Sequence, residues 1–163
     1  MKYEKLELLI NGKWRSGSEN KSEPVYNPAT NEIIGDLPHA SKNDLKEAME
    51  SNKEAFKSWK NEPSLNRQKI IENACRILED NFDQVATNLT TEMGKPLAEA
   101  KMELSVGLDV LRWYGEEGKR AYGRLVPSRM NGLSQTVIKE PIGPVIAFVA
   151  WNFPVMNVVR KVG

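Results

Sequence analysis

Apolar residues follow two rhythms along this chain. From Ser41 to Leu111 they recur at helical spacing, whereas on either side they form short alternating or continuous runs of the kind strands use. Leu6 to Trp14 is apolar and interrupted by Asn11-Gly12, the dipeptide that favours a two-residue hairpin turn. Ser16 to Pro28 reads as polar and turn-rich, and Glu32 to Leu37 as a further short strand before Pro38. Ser41 with Asp44 three residues on predicts a capping box and a helix through about Trp59. After Pro63, Ser64 is placed to cap a second helix, in which Leu65, Ile70, Ile71, Ala74, Ile77 and Leu78 keep helical spacing. A third covers Phe82 to Met93 and stops at Gly94. Pro96 then suits the first turn of a long helix with Leu97, Ala100, Leu104, Leu108 and Leu111 on one stripe.

Beyond Tyr122 the period changes to two. Gln135 to Glu140 predicts a strand with one drier face, either an ordinary edge strand or one that pairs with another subunit. Pro144-Val145-Ile146-Ala147-Phe148-Val149-Ala150 is uncharged and rich in β-branched and aromatic residues, which predicts a strand buried on both faces. In parallel α/β sheets ligands collect at the carboxyl ends of strands, and Asn152 stands at such an end with an amide able to donate two hydrogen bonds. Pro154 suits a first helical position. From there Phe153, Met156, Asn157 and Arg160 fall on one stripe of the following helix.

Composition narrows the function classes. The 163 residues can bury a real core, and 23 basic against 22 acidic side chains, interspersed, give no basic face for nucleic acid or an acidic membrane surface. No apolar segment approaches the roughly 20 residues that span a bilayer, and Met1-Lys2-Tyr3-Glu4-Lys5 leads into no signal-like core, so the expected compartment is cytoplasmic. One cysteine cannot form an internal disulfide. No Cys, His and carboxylate cluster has metal-ligand spacing, so no metal site is expected.

Several ordered motifs carry a family resemblance. Ile10-Asn11-Gly12-Lys13-Trp14, Tyr26-Asn27-Pro28-Ala29-Thr30, Glu92-Met93-Gly94-Lys95-Pro96-Leu97-Ala98-Glu99-Ala100, Arg112-Trp113-Tyr114, Pro141-Ile142-Gly143-Pro144 and Trp151-Asn152-Phe153-Pro154 together resemble the amino-terminal landmarks of the aldehyde dehydrogenase superfamily. Arg160-Lys161-Val162-Gly163 is similar to its succinate-semialdehyde dehydrogenase branch. The resemblance implies an α/β fold with an N-terminal β element, a helical layer, an oligomerisation-type strand and the first strand of a Rossmann-like parallel sheet. The corresponding divisions are 1–122, 123–143 and 144–163, the last incomplete. The implied activity is NAD(P)-dependent oxidation of an aldehyde, such as succinate semialdehyde, to the acid through a thiohemiacetal and a thioester. It also implies a homo-oligomer, dimer or tetramer, and a small-molecule aldehyde as the partner.

Within that expectation Asn152 is the oxyanion donor, and Phe148, Val149, Ala150, Trp151 and Asn152 meet NAD or NADP largely through backbone groups. Phe153, Met156 and Arg160 face the aldehyde, with Arg160 matching a carboxylate at its far end. Each has a plainer alternative: Asn152 as a helix cap, Arg160 in a surface ion pair, Phe153 and Met156 as core. Ala150 departs from the family, which usually has proline before the tryptophan. Gly115 and Gly118 fall in a helical region and form no phosphate loop. Cys75 sits within an amphipathic helix with no histidine nearby, and His39 in a turn, so neither reads as catalytic. Glu116 with Glu117, and Glu99 with Glu103, read as exposed helix faces. The family's cysteine nucleophile, water-activating glutamate and ribose-gripping lysine would fall after Gly163. The expectation is therefore an inactive, poorly stable segment of such an enzyme, the alternative being a noncatalytic remnant or subunit-interaction module.

Overall fold

A computed structural model describes Tyr3 and residues 5–163. Met1, Lys2 and Glu4, part of the stretch read above as lacking a signal-like start, lie outside the described residues. The chain opens with two antiparallel hairpins. The first pairs β1 (Leu8–Ile10) with β2 (Lys13–Arg15), and Asn11 and Gly12 both take positive φ, 52° and 71°, the two-residue turn their sequence favours. The second pairs β3 (Ser22–Tyr26) with β4 (Ile33–Pro38). β3 lies inside the segment expected to be only turns. Its ladder to β4, not its own polar composition, makes it a strand.

Four helices follow: α1 (Lys42–Trp59), α2 (Ser64–Asp80), α3 (Phe82–Met93) and α4 (Leu97–Gly118). Ser41 forms the expected capping box with Asp44. The second expected cap is corrected: Pro63 holds the N-cap position of α2 and Ser64 is its first helical residue, so no side chain caps that end. Gly94 closes α3 in the left-handed conformation with φ 74°.

α4 is the axis of the helical layer. Its stripe is buried at Ala100, Leu104, Leu108 and Leu111 as the spacing predicts, against α2, α3 and a final helix α5 (Pro154–Val162), whereas Leu97 in its first turn stays exposed. One core cluster joins Cys75, Leu104, Leu108, Leu111, Met156 and Val159, and a second joins Ala86, Leu89 and Ala100. Burying side chains of the size of Leu104 contributes about 1.5–3 kcal/mol each. Leu65, Ile70 and Ile77, at core spacing on α2, stay exposed while Ile71 and Leu78 pack inward. Arg112 of α4 reaches Glu72 and Glu79 of α2, tying the pair together at the surface.

Between α4 and α5 lie β5 (Arg124–Pro127) and β6 (Ser134–Val137), an antiparallel hairpin. β6 starts one residue before the expected strand and ends at Val137, since Ile138 to Glu140 have no ladder partner. The run 144–150 differs more from expectation. It forms no ladder with any described segment, and Val145, Ile146 and Phe148 are exposed, so the parallel sheet is not built by the described residues. A strand needs a neighbour to satisfy its amides and carbonyls, however apolar its sequence. No helix among the described residues is long and apolar enough to cross a membrane.

The first hairpin is fastened to α1 through Asp44, which is 1% exposed. Its Oδ2 accepts from the Ser18 and Ser41 amides at 2.9 and 2.8 Å, and Arg15 Nη2 donates to Oδ1 at 3.1 Å. The Ser18 and Ser41 amides hold the Asp44 carboxyl well below the usual carboxylate range. Its folded pKa is depressed and its unfolded value is ordinary, so Asp44 stabilises the fold above about pH 4 and that contribution fades as pH falls below it. Thermal melts at pH 6 and pH 2.5 are expected to show a larger drop in Tm for the wild type than for Asp44→Asn. Equal drops would remove Asp44 from the acid response.

Candidate active site

α5 begins without a cap of its own. Phe153 occupies the N-cap position and makes no side-chain cap hydrogen bond, and Pro154 takes the first helical position as its fixed φ favours. The next two amides, which an N-cap Ser or Asn would ordinarily satisfy, instead meet a residue from α4. Val155 and Met156 donate to Oε1 of Glu103 at 3.0 and 3.1 Å. Glu103 is 4% exposed, which corrects its expected place on an exposed face. A signal for this was present, because Glu103 falls on the same stripe as Ala100, Leu104 and Gly107, all of them buried. A carboxylate on such a stripe must find partners.

Its second oxygen takes the ammonium of Lys95, from the short link between α3 and α4, in a pair whose side chains are 8% and 1% exposed. Lys95 Nζ also donates to the main-chain carbonyl of Asn152 at 3.1 Å and lies 4.1 Å from the centre of the Phe153 ring. Asn157 closes the turn from the other side, its Nδ2 donating to the Ala150 carbonyl at 3.2 Å. Gly107 lets α5 approach, since a Cβ there would stand 3.3 Å from Val155 Cγ1. Sequence reasoning missed Lys95 and Glu103 because their partners are about fifty residues away in the chain.

The expected site residues are placed as follows. Asn152 is exposed and its carboxamide forms no hydrogen bond among the described residues, so it does not cap α5. Phe148, Val149, Ala150 and Trp151 form an exposed extended run into the turn, with Phe148 at 87% and Trp151 at 79% exposure. The stripe of four on α5 divides: Met156 is buried in the core, Asn157 is half-buried, and Phe153 and Arg160 face outward. A helix lying on α4 turns one side inward, and the Phe153 to Arg160 row straddles that boundary. Trp151 and Pro154 border a cleft of about 480 Å³ that also meets Leu6, Val25, Leu37 and Met93.

Cys75 is fully buried, and burial pushes its thiol up from the usual value, the opposite of what a nucleophile needs. His39 is exposed beside Glu23.

Comparison with known proteins decides the family. The aldehyde dehydrogenase family profile matches residues 14–163. The chain belongs to the aldehyde dehydrogenase family. It is 42% identical over 96% of its length to a 4-(hydroxymethyl)benzenesulfonate dehydrogenase of Comamonas testosteroni, covering 33% of that protein. It is 34% identical over 96% of its length to the NADP(+) succinate-semialdehyde dehydrogenase of Escherichia coli, again covering 33%. The crystal structure of succinate-semialdehyde dehydrogenase from Burkholderia pseudomallei superposes with a TM-score of 0.94 at 34% identity, over 98% of this chain and 33% of that one. This aldehyde dehydrogenase chain thus spans about a third of the length of the curated relatives it matches.

Removing Glu103 strands the Lys95 charge and two helix amides at once, and breaking a buried pair from one side costs about 3–5 kcal/mol. Glu103→Ala is expected to lower the denaturation free energy by that amount, whereas Glu72→Ala, at the surface pair with Arg112, stays within about 1 kcal/mol of wild type. Denaturant titration of both variants checks the contrast.

Proposed function

We propose that this chain forms part of an NAD(P)-dependent semialdehyde dehydrogenase and contributes Asn152 as its oxyanion donor. The observation that carries this is the exposed Asn152 carboxamide, which makes no hydrogen bond among the described residues while the first amides of α5 are met by Glu103. The carboxamide is left free at the mouth of the turn.

When a thiolate attacks the aldehyde carbon, the carbonyl electron pair moves to oxygen, and an N–H aimed at that oxygen stabilises the charge as it grows. The adduct so formed would have to lose hydride to give a thioester, from which water would release the acid. A dinucleotide held here would supply the hydride acceptor. Phe148 to Trp151 suit such a ligand, since the run offers exposed apolar side chains and backbone groups that no ladder has claimed. Cys75 does not fit the attacking group, and the thiolate is assigned to another part of the native protein.

Arg160 faces outward on the last turn of α5 and joins no ion pair among the described residues. Its fork suits a substrate anion remote from the reacting carbon. The names of both relatives support this, one describing a sulfonate and the other a semialdehyde of a dicarboxylic acid. Phe153 lines the approach beside it, and Met156 serves from beneath by packing α5 on α4. Residues 123–143, with exposed Leu125, Leu133 and Ile138 around the β5–β6 hairpin, are proposed to join subunits in a dimer or tetramer.

In the native gene product Asn152→Ala is expected to lower kcat by about 10²- to 10³-fold with folding intact. Unchanged turnover would remove the oxyanion role. Arg160→Ala is expected to reduce kcat/KM for succinate semialdehyde by more than tenfold relative to a neutral aldehyde of similar length, the size of about 1.4 kcal/mol of lost anion recognition. Equal losses on both substrates would remove the carboxylate assignment.

A further inference from the structure

We propose that Lys95 and Glu103 are positioning residues for Asn152, holding the turn that carries its carboxamide from opposite sides. The inference rests on the oxyanion reading of Asn152 and adds what sets its direction.

No protein group among the described residues holds the Asn152 side chain, so its aim is inherited from its own backbone. That backbone is fixed at two points. The carbonyl of Asn152 accepts from Lys95 Nζ at 3.1 Å, and the amides of Val155 and Met156 donate to Glu103 Oε1. Lys95 and Glu103 bind each other between those points, so the loop after α3, the second turn of α4 and the start of α5 share one charge pair. The same ammonium lies 4.1 Å from the Phe153 ring centre, which sets the residue following the donor. A compact ammonium meets all three demands. A planar guanidinium, larger and fixed in its donor directions, does not.

Charge makes the pair separable from simple stability. Losing one partner leaves the other buried and uncompensated, whereas replacing both by neutral side chains of similar volume is often tolerated. When Lys95→Met and Glu103→Gln are combined, the amide oxygen that replaces the carboxylate still accepts from Val155 and Met156, so α5 keeps its cap. The Asn152 carbonyl and the Phe153 ring lose their anchor.

The test uses the native gene product carrying Lys95→Met, the double variant Lys95→Met/Glu103→Gln, Asn152→Ala, and the triple combination. Lys95→Met is expected to lower both Tm and kcat. The double variant is expected to recover Tm to within about 3 °C of wild type while kcat stays about 10- to 100-fold low, the range a displacement near 1 Å produces, with aldehyde KM changed less than about threefold. In the Asn152→Ala background the same double change is expected to cost less than about threefold further, because the group it positions is gone. Recovery of kcat together with Tm, or a full additional loss on top of Asn152→Ala, would overturn the positioning role. If Asn152→Ala alone leaves kcat unchanged, the oxyanion reading fails, and the inference that depends on it falls at that identifiable step.

Discussion

A single buried carboxylate connects the α3–α4 link and α4 to a helix end about fifty residues further along the chain. Glu103 lies in the second turn of α4, accepts two amides at the start of α5, and pairs with Lys95 from the loop after α3. Taking a charge out of water costs several kcal/mol, so it survives only because each oxygen is occupied. The helix end supplies a positive dipole and Lys95 a full charge. Without this arrangement α5 would start with two unsatisfied amides and no side chain able to cap them, and the Trp151-Asn152-Phe153 turn would have no fixed entry into it.

The fold uses the same chemistry twice, with different reach. Asp44 caps α1 from within its own first turn and gathers the Ser18 amide and Arg15 as tertiary partners. Glu103 caps α5 from a neighbouring helix. The local version fastens the first hairpin to the helical layer. The long-range version fastens the candidate site, where Phe153 holds the cap position and the Asn152 carboxamide just before it makes no hydrogen bond among the described residues. Under the proposed oxyanion role that freedom has chemical meaning, because a donor already engaged by the backbone could not respond to charge appearing on a substrate oxygen.

The exposed run from Val145 to Trp151 follows from the same geometry. Its apolar side chains and unpaired backbone are what a sheet would cover, and no described strand pairs with it. It stands in the open, held at its end by the Asn157 bond to the Ala150 carbonyl and by the Lys95 bond to Asn152. Among the described residues, the contacts that hold the site come from the helices beneath it.

Local signals in the sequence determined what depended on near neighbours. The Asn11-Gly12 turn, the Ser41 and Asp44 capping box, the Gly94 stop, Pro154 at the head of α5 and the α4 stripe from Ala100 to Leu111 all follow from interactions within a few residues, and each is found in the structure. The motif order also sufficed to place the chain in its family. Tertiary structure alone decided β3, whose polar sequence becomes a strand because β4 lies beside it, and left 144–150 unpaired for want of a neighbour. It alone turned Met156 inward and Arg160 outward, and it alone made Glu103 a cap instead of a surface charge. In each case the deciding partner lies outside the local window, and no spacing rule reveals where a distant hydrogen bond will be satisfied.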